Sequence, residues 1–323
     1  MTLSVNQKMK NPAIKPQHRY WTYFVYFLKR IARFVKIPAS VSSAVYQFMA
    51  SSVQGKKLKT YKDLWLVEKD GEKYFDINGA KIPDVSLDAV TLVPVFEDVF
   101  TIPYFYEDNY EKSVVEYVDQ YLMEGPYGYT GDDIDVTVKK GDVVIDVGAW
   151  IGDFSAYAAN KGATVYAFEP VNETFQWLRK TKMLNNSNRG GIFPVQKGLS
   201  NKEMHVDITI NNKNSAANSI IITDSSHNSS ETITLTTIDR FAEENKLERI
   251  DFIKADIEGA ERDMLRGASN VLKTFAPKLA ICTYHLPDDP EVLERIIVEA
   301  NPDYKVVHLR HKLFAAVITN KYS

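Results

Sequence analysis

The run Val143-Val144-Ile145-Asp146-Val147-Gly148-Ala149-Trp150-Ile151-Gly152-Asp153-Phe154-Ser155 constrains this chain more than any other segment. A short stretch of Val and Ile suits a strand covered on both faces, and such strands belong to parallel sheets flanked by helices. The glycines then turn the chain, Asp153 opens a helix, and a second apolar run ends on Glu169 in Tyr166-Ala167-Phe168-Glu169-Pro170. Strand, glycine turn, helix, strand and carboxylate form the opening of a nucleotide-type α/β site. Gly148 and Gly152 let backbone come close to a ligand at the strand end, and Glu169 is placed to accept both hydroxyls of a ribose. An adenosine-bearing ligand is therefore expected.

Dinucleotides rest their pyrophosphate on a G-x-G-x-x-G turn at a helix N-terminus. Here Trp150 stands where the second glycine would admit pyrophosphate, and Asp153 puts a negative charge on the first helical turn. An anion is repelled there, whereas a cationic, phosphate-free ligand such as S-adenosylmethionine is tolerated. An NAD-dependent oxidoreductase or epimerase uses a similar strand, turn and helix and is the main alternative; Trp150, Asp153 and the expected lack of a functional Tyr-x-x-x-Lys pair argue against it.

After Gly141 the pattern becomes regular. Strands are predicted over 143–147, 164–168, 192–196, 251–256 and 279–284, and helices over 153–161, 173–184, 237–245, 259–272 and 288–300. Such alternation means a mostly parallel sheet with right-handed crossovers. Two last strands, near 304–309 and 313–319, have only Arg310-His311-Lys312 between them and must form an antiparallel hairpin. The expected fold class is thus α/β, a Rossmann-like, seven-stranded sheet closed by a C-terminal antiparallel hairpin. Residues 201–235 interrupt it with a hairpin and an Asn/Ser-rich loop, 211–230, placed to cover the site.

Ahead of this domain, taken as 136–323, residues 1–18 read as a loose polar tail and 19–135 as a helical and α+β extension. Phe24, Phe27, Leu28, Ile31, Phe34 and Val35 recur at helical spacing, with Lys29, Arg30, Arg33 and Lys36 on the other face. They make a basic amphipathic helix over 20–37, which either packs on the rest of the chain or lies on an anionic membrane surface; packing is the commoner use. Asp70-Gly71 and Asn78-Gly79 mark hairpin turns, and Val114 to Met123 a helix. Gly125-Pro126-Tyr127-Gly128-Tyr129-Thr130-Gly131 is a glycine-rich turn whose tyrosines either line a substrate pocket or pack against the turn.

Composition narrows the setting. The single cysteine, Cys282, excludes an internal disulfide and a cysteine-rich zinc site. The apolar run Tyr20–Leu28 is too short to span a bilayer. A cytoplasmic protein is expected, with the 20–37 helix its route to the inner face of the membrane. A net charge of −3 gives no reason to expect nucleic acid as partner.

Three motifs, Asp146-Val-Gly-Ala-x-x-Gly152, Lys254-Ala-Asp-Ile-Glu-Gly-Ala-Glu261 and Ile281-Cys-Thr-Tyr-His-Leu-Pro-Asp288, together resemble the FkbM family of S-adenosylmethionine-dependent methyltransferases. The resemblance runs from about residue 125 to 318 and does not reach residues 1–120. It implies a class I methyltransferase fold and methyl transfer to an oxygen of a sugar, glycan, polyketide or other small molecule. It also implies a cofactor site: Asp146, Gly148, Ala149, Gly152 and Ser155 beside the methionyl part, Glu169 on the ribose, Gly198 and Leu199 near the adenine. The turn Lys197-Gly198-Leu199-Ser200 lacks the acidic residue that many class I enzymes place there, so the adenine amino group needs a backbone or Ser200 contact.

Ligands of open α/β sheets sit outside the carboxyl ends of the strands, where Asp256, Glu258, Tyr284 and His285 fall. A sulfonium already activates the methyl group, so the protein must align a nucleophile and deprotonate a poorly acidic alcohol. In the preferred route His285 is the general base and Asp256 or Glu258 orients it. In the other, Asp256, Glu258 and His285 ligate Mg²⁺ or Mn²⁺, which binds the substrate hydroxyl and lowers its pKa. Tyr127, Tyr129 and Tyr284 are the candidate substrate contacts. Plainer roles compete: Asp256 as a helix cap, Glu258 and Glu261 as complements to a helix N-terminus, His285 as a buried turn residue. Lys254, inside a central strand, is read as the partner of a carboxylate. A non-catalytic, membrane-associated binding module with the same fold is the remaining alternative.

Overall fold

The computed structural model describes residues 66–77, 79–84, 112–119, 126–186, 190–210 and 229–318. The chain divides into two compact units, Met1–Asn78 and Gly79–Ser323. In the first, β1 (Leu66–Lys69) and β2 (Glu72–Ile77) form an antiparallel hairpin. Its turn is the expected Asp70-Gly71, with both residues at positive φ. The helix expected over 20–37, the turn residue Asn78 and the loop 211–228 lie outside the described residues.

The second unit opens with β3 (Ala80–Pro83), α1 (Lys112–Asp119) and a small hairpin of β4 (Tyr129–Gly131) and β5 (Ile134–Val136). Alternation then sets in: β6 (Val143–Val147), α2 (Asp153–Lys161), β7 (Thr164–Phe168), α3 (Asn172–Leu184), β8 (Gly191–Val195). Next come β9 (Gly198–Leu199), β10 (Met204–Ile210), β11 (Ser229–Thr236) and α4 (Ile238–Glu244). The chain continues with β12 (Phe252–Ala255), α5 (Glu261–Arg266), α6 (Ser269–Thr274) and β13 (Lys278–Cys282). It closes with α7 (Asp289–Ala300), β14 (Tyr304–His308) and β15 (Lys312–Val317).

Seven strands share one sheet in the order β14-β15-β13-β12-β6-β7-β8. The five from β8 to β13 in that order run parallel, while β15 is antiparallel to both β13 and β14. The Rossmann-like α/β sheet with its closing hairpin is as the sequence predicts. The central strands explain its cohesion: Val144, Ile145, Val147, Phe252, Ile253 and Ala255 are all buried. Each such Val, Ile or Phe side chain contributes roughly 1.5–3 kcal/mol relative to exposure. Chain order reverses between β6 and β12, which opens a crevice outside their carboxyl ends. No described helix is long and apolar enough to cross a membrane.

Two features differ from the sequence reading. The segment before residue 136 is not separate from the sheet domain over its whole length, because β3, α1, β4 and β5 fall within the second unit. Asn185, the C-cap of α3, accepts from Lys81 N (3.0 Å) and donates to Lys81 O (2.7 Å), and Tyr129 stacks on Phe314 of β15 at 5.3 Å. Second, the single helix expected over 259–272 is two helices that meet at Gly267. A Cβ there would lie 2.0 Å from the carbonyl oxygen of Ser200, so the backbone leaving β9 passes against the junction. Asp239 of α4 then caps α6 from outside, accepting from Asn270 N (2.9 Å) and Val271 N (2.8 Å).

Gly267→Ala forces that carbonyl to move and should lower the thermal midpoint by roughly 4–10 °C, the shift for about 2–3 kcal/mol of overpacking. Gly141, at φ 87 with nothing within 4 Å of an added Cβ, carries backbone strain alone. Gly141→Ala should lose only about 1 kcal/mol. Equal melting temperatures for the two variants would refute the packing account.

Candidate active site

The crevice is a solvent-open cleft with about 680 Å³ of empty space. Gly148, at φ 70, lines it and has no room for a side chain, since a Cβ would lie 2.0 Å from the Asp256 carbonyl oxygen. The turn after β6 and the end of β12 are thus in backbone contact. Gly152 at φ 87 is constrained from the opposite side: its Cβ would meet Leu178 Cδ1 of α3 at 2.7 Å. It is the N-cap of α2 and does not line the cleft.

Behind the turn lies a buried polar cluster. Ser155 Oγ donates to Asp146 Oδ2 (2.6 Å), while Lys254 Nζ sits 3.2 Å from Asp146 Oδ1 and donates to the Gly148 carbonyl at 2.6 Å. Burial alone would lower the lysine's pKa; Asp146, Asp256 and Asp153 raise it, so Lys254 stays charged. Lys254 pairs with a carboxylate, as its place in a central strand suggests. Of the eight residues expected at the cofactor, Gly148, Glu169, Gly198 and Leu199 line the cleft. Asp146, Ala149, Gly152 and Ser155 stand behind its wall, where ion pairing and helix packing use them.

Glu169, buried at the end of β7, accepts from Val171 N (2.9 Å) and Trp150 N (3.2 Å). Burial pushes its carboxyl up to about 8 against the pull of those two N–H groups. Trp150 holds φ 48, unusual for a bulky residue, and its indole Nε1 is buried with no acceptor. The facing wall is apolar: Ile208 of β10 and Ile233 of β11 project into the cleft beside Leu199. The hairpin expected within residues 201–235 forms this wall. The available signal was the alternation of Met204, Val206 and Ile208, which gives β10 one apolar face.

The ends of β12 and β13 bring Asp256, Glu258 and His285 together beside this cleft, whose lining Asp256 and Glu258 share. His285 Nε2 is 3.4 Å from Asp256 Oδ1 and 3.7 Å from Glu258 Oε2, and Nδ1 is 3.0 Å from Glu261 Oε1. The contacts are close enough for charge, yet neither ring nitrogen has an aligned hydrogen-bond acceptor. Burial alone would lower the histidine's pKa; Glu261, Asp256 and Glu258 together push it up to about 9. These three carboxylates favour the protonated ring, which weakens the case for His285 as a base. Burial would raise Asp256, but Lys254, His285 and the Tyr127 hydroxyl outweigh it and hold it low. Glu258 is raised, by burial first, then by Asp256 and Glu261, against His285. It is also the most open of the three, 31% exposed against 12% for Asp256 and 6% for His285.

Two predicted substrate tyrosines converge on Asp256. Tyr127 Oη donates to Oδ2 at 2.9 Å and Tyr284 Oη to Oδ1 at 3.1 Å, with the Tyr284 ring 4.2 Å from that of His285. Tyr129 does not join them: it is fully buried, bonded to Asp132 and stacked on Phe314. Glu261 accepts from Ile257 N (2.8 Å) and Gly259 N (3.0 Å), bracing the turn that carries Glu258 at φ 55. Asp289 braces the other turn, accepting from Leu286 N (2.9 Å) and Arg262 Nε (2.7 Å). Contrary to the expectation that a Tyr-x-x-x-Lys pair is lacking, Tyr157 and Lys161 stand at that spacing, which marks one class of NAD-dependent oxidoreductases. Tyr157 is buried against Phe154, Lys161 Nζ lies 5.7 Å over its ring, and neither lines the cleft.

The raised Glu169 makes stability depend on pH. Its folded pKa lies above the unfolded value, so the native state binds more protons between pH 4.5 and about 8. The stability it contributes is complete below that window and lost as pH rises through it. Relative to Glu169→Gln, the wild type should lose on the order of 2–4 kcal/mol between pH 5 and pH 8.5, read from urea midpoints. A pH-independent difference would refute the buried-carboxyl assignment.

Comparison with known proteins bears on this arrangement. The family model for the methyltransferase FkbM domain matches residues 146–313, just over half of the chain. The hexuronic acid methyltransferase AglP of Haloferax volcanii is 30% identical over 177 residues, 53% of this chain and 67% of its own. Among solved structures, the methyltransferase FkbM from Methylobacillus flagellatus KT shows 22% identity and a TM-score of 0.46, covering 71% of this chain. The match spans 55% of that longer protein. Aeropyrum pernix fibrillarin, solved with natively bound S-adenosyl-L-methionine, shows 17% identity and a TM-score of 0.38 over 79% of this chain and 87% of its own. On the extent of the family match, this chain belongs to the FkbM methyltransferase family.

Proposed function

We propose that the protein transfers a methyl group from S-adenosylmethionine to a hydroxyl of a sugar or other small glycan. One observation carries the reading: a cleft with Gly148 and Glu169 on one side opens directly onto Asp256, Glu258 and the adjacent His285. The hexuronic acid methyltransferase of Haloferax volcanii supports a sugar as acceptor.

The lining residues fit the donor. S-adenosylmethionine supplies a methyl group on positively charged sulfur. Glu169, once ionised, accepts from ribose hydroxyls, and the buried indole N–H of Trp150 offers a donor to an oxygen of the ligand. Leu199, Ile208 and Ile233 give an apolar surface for adenine. Asp256 and Glu258 favour a cation and disfavour phosphate.

Glu258 is the proton acceptor for the attacking hydroxyl, because its pKa is raised and it faces the cleft. The His285 imidazolium stabilises negative charge as it develops on that oxygen. Asp256, fixed by Tyr127 and Tyr284, holds the imidazolium in place.

S-adenosylhomocysteine at a hundred times its Kd should stabilise the protein by about 2.7 kcal/mol, and NAD should not. Stabilisation by NAD alone would sink the reading. In transfer of labelled methyl to a panel of hexuronic acids and neutral hexoses, Glu258→Gln should lower kcat by roughly 10²–10⁴-fold with S-adenosylhomocysteine affinity unchanged. Unimpaired turnover in that variant would remove Glu258 from its role.

A further inference from the structure

We infer that Asp256, Glu258 and His285 hold a divalent cation, and that this cation seats an acceptor carrying two adjacent oxygens, an α-hydroxy carboxylate or a vicinal diol. The cation's part in turnover rests on the methyl-transfer reading above; its binding does not.

The donor geometry is the first ground. Ligand atoms about 2.1 Å from one ion stand roughly 3–3.5 Å from each other in octahedral or tetrahedral arrangements. His285 Nε2 lies 3.4 Å from Asp256 Oδ1 and 3.7 Å from Glu258 Oε2, and one donor atom from each residue falls within 4.8 Å of the others. The second ground is the histidine itself. Its side chain is 6% exposed and aimed between two carboxylates, yet Nε2 has no aligned hydrogen-bond partner. A buried polar atom seldom goes unsatisfied. A cation on Nε2 supplies the partner that neither carboxylate provides; it displaces the proton the ring holds there in the metal-free protein and takes over the imidazolium's part in stabilising charge on the acceptor oxygen.

A third ground is what stands behind the ring. Histidines that bind metals are oriented by a carboxylate at the other nitrogen, which also leaves the lone pair on the metal side. Glu261 is placed that way, with Oε1 at 3.0 Å from Nδ1, no exposure, and its position set by Ile257 N and Gly259 N. The two buried lysines that act on Asp256 are engaged elsewhere, Lys254 with Asp146 and the Gly148 carbonyl and Lys312 with Asp119 at 3.8 Å. Two carboxylates and one imidazole suit Mn²⁺ or Mg²⁺ better than a thiophilic ion.

The cation also resolves a conflict of charge. A cluster of acidic side chains repels a carboxylated sugar, whereas a divalent ion with open positions toward the cleft binds one through its carboxylate and neighbouring hydroxyl. On the ion the acceptor O–H becomes more acidic, and its proton passes to the free oxygen of Glu258. The oxygen lone pair then forms the C–O bond as the C–S bond of the sulfonium breaks, its electron pair staying on sulfur to leave a neutral thioether.

The test uses the full chain, stripped with EDTA and dialysed, titrated with Mn²⁺ by the loss of its free EPR signal. S-adenosylhomocysteine binding is followed in parallel by thermal shift. One Mn²⁺ per chain should bind, displaceable by Mg²⁺, at least 10-fold more weakly in Glu258→Gln and His285→Asn and 10–100-fold more weakly in Glu261→Gln. Because Glu261 also braces a turn, partly exposed Glu258 is the deciding position, with far-UV circular dichroism confirming its fold. Wild-type affinity in Glu258→Gln, or no Mn²⁺ uptake, overturns the inference. If uptake fails while S-adenosylhomocysteine binds and EDTA leaves transfer intact, the cation alone is wrong. If Mn²⁺ binds as expected while S-adenosylhomocysteine does not, the methyl-transfer reading fails and the site stands.

Discussion

The buried pair of Lys254 and Asp146 holds the two strand ends between which the site opens. They are register partners on β12 and β6, and the lysine reaches on to the Gly148 carbonyl. Removing one member of such a pair strands an uncompensated buried charge, at a penalty of roughly 3–5 kcal/mol. Gly148 completes the arrangement, because only a residue without a Cβ allows the Asp256 carbonyl so close. Donor cleft and acceptor cluster are thereby set from one junction. A shift of β12 against β6 would move Asp256 and Glu258 relative to Glu169.

Around that junction one kind of functional group does several jobs. Asp146 is sealed from solvent and serves structure, Glu169 is kept protonated by burial, and Asp256 is kept ionised by Lys254 and His285. Glu258 is shifted upward at the cleft, and Glu261 braces two backbone amides and the imidazole. These differences come from depth and neighbours, since an isolated carboxyl has a narrow range. Membership of the FkbM family agrees with this layout without specifying it.

Much of the architecture was legible because it rests on short-range pattern. β6, α2 and β7 begin and end where the periodicity places them, since each is a run of one period bounded by glycine or a polar residue. The strand-end cluster of Asp256, Glu258, Tyr284 and His285 was legible for a related reason: strand ends in an open sheet share one side. The split of the helix at Gly267 was not, because its causes are Ser200 and Asp239, far away in sequence.

Sequence alone determined the α/β class, the mostly parallel sheet with its closing antiparallel hairpin, and the strand-end cluster of polar residues beside the crevice. These follow from periodicity and connectivity, which are properties of neighbours along the chain. Tertiary structure decided which of those residues face the ligand. It turned Ser155, Asp146 and Tyr129 inward, aimed Tyr127 and Tyr284 at Asp256, and made Ile208 and Ile233 a wall. It also set the charge environment, surrounding His285 with three carboxylates that favour its protonated form. Side-chain direction and desolvation depend on what packs from other elements, and that exists only once the chain has folded.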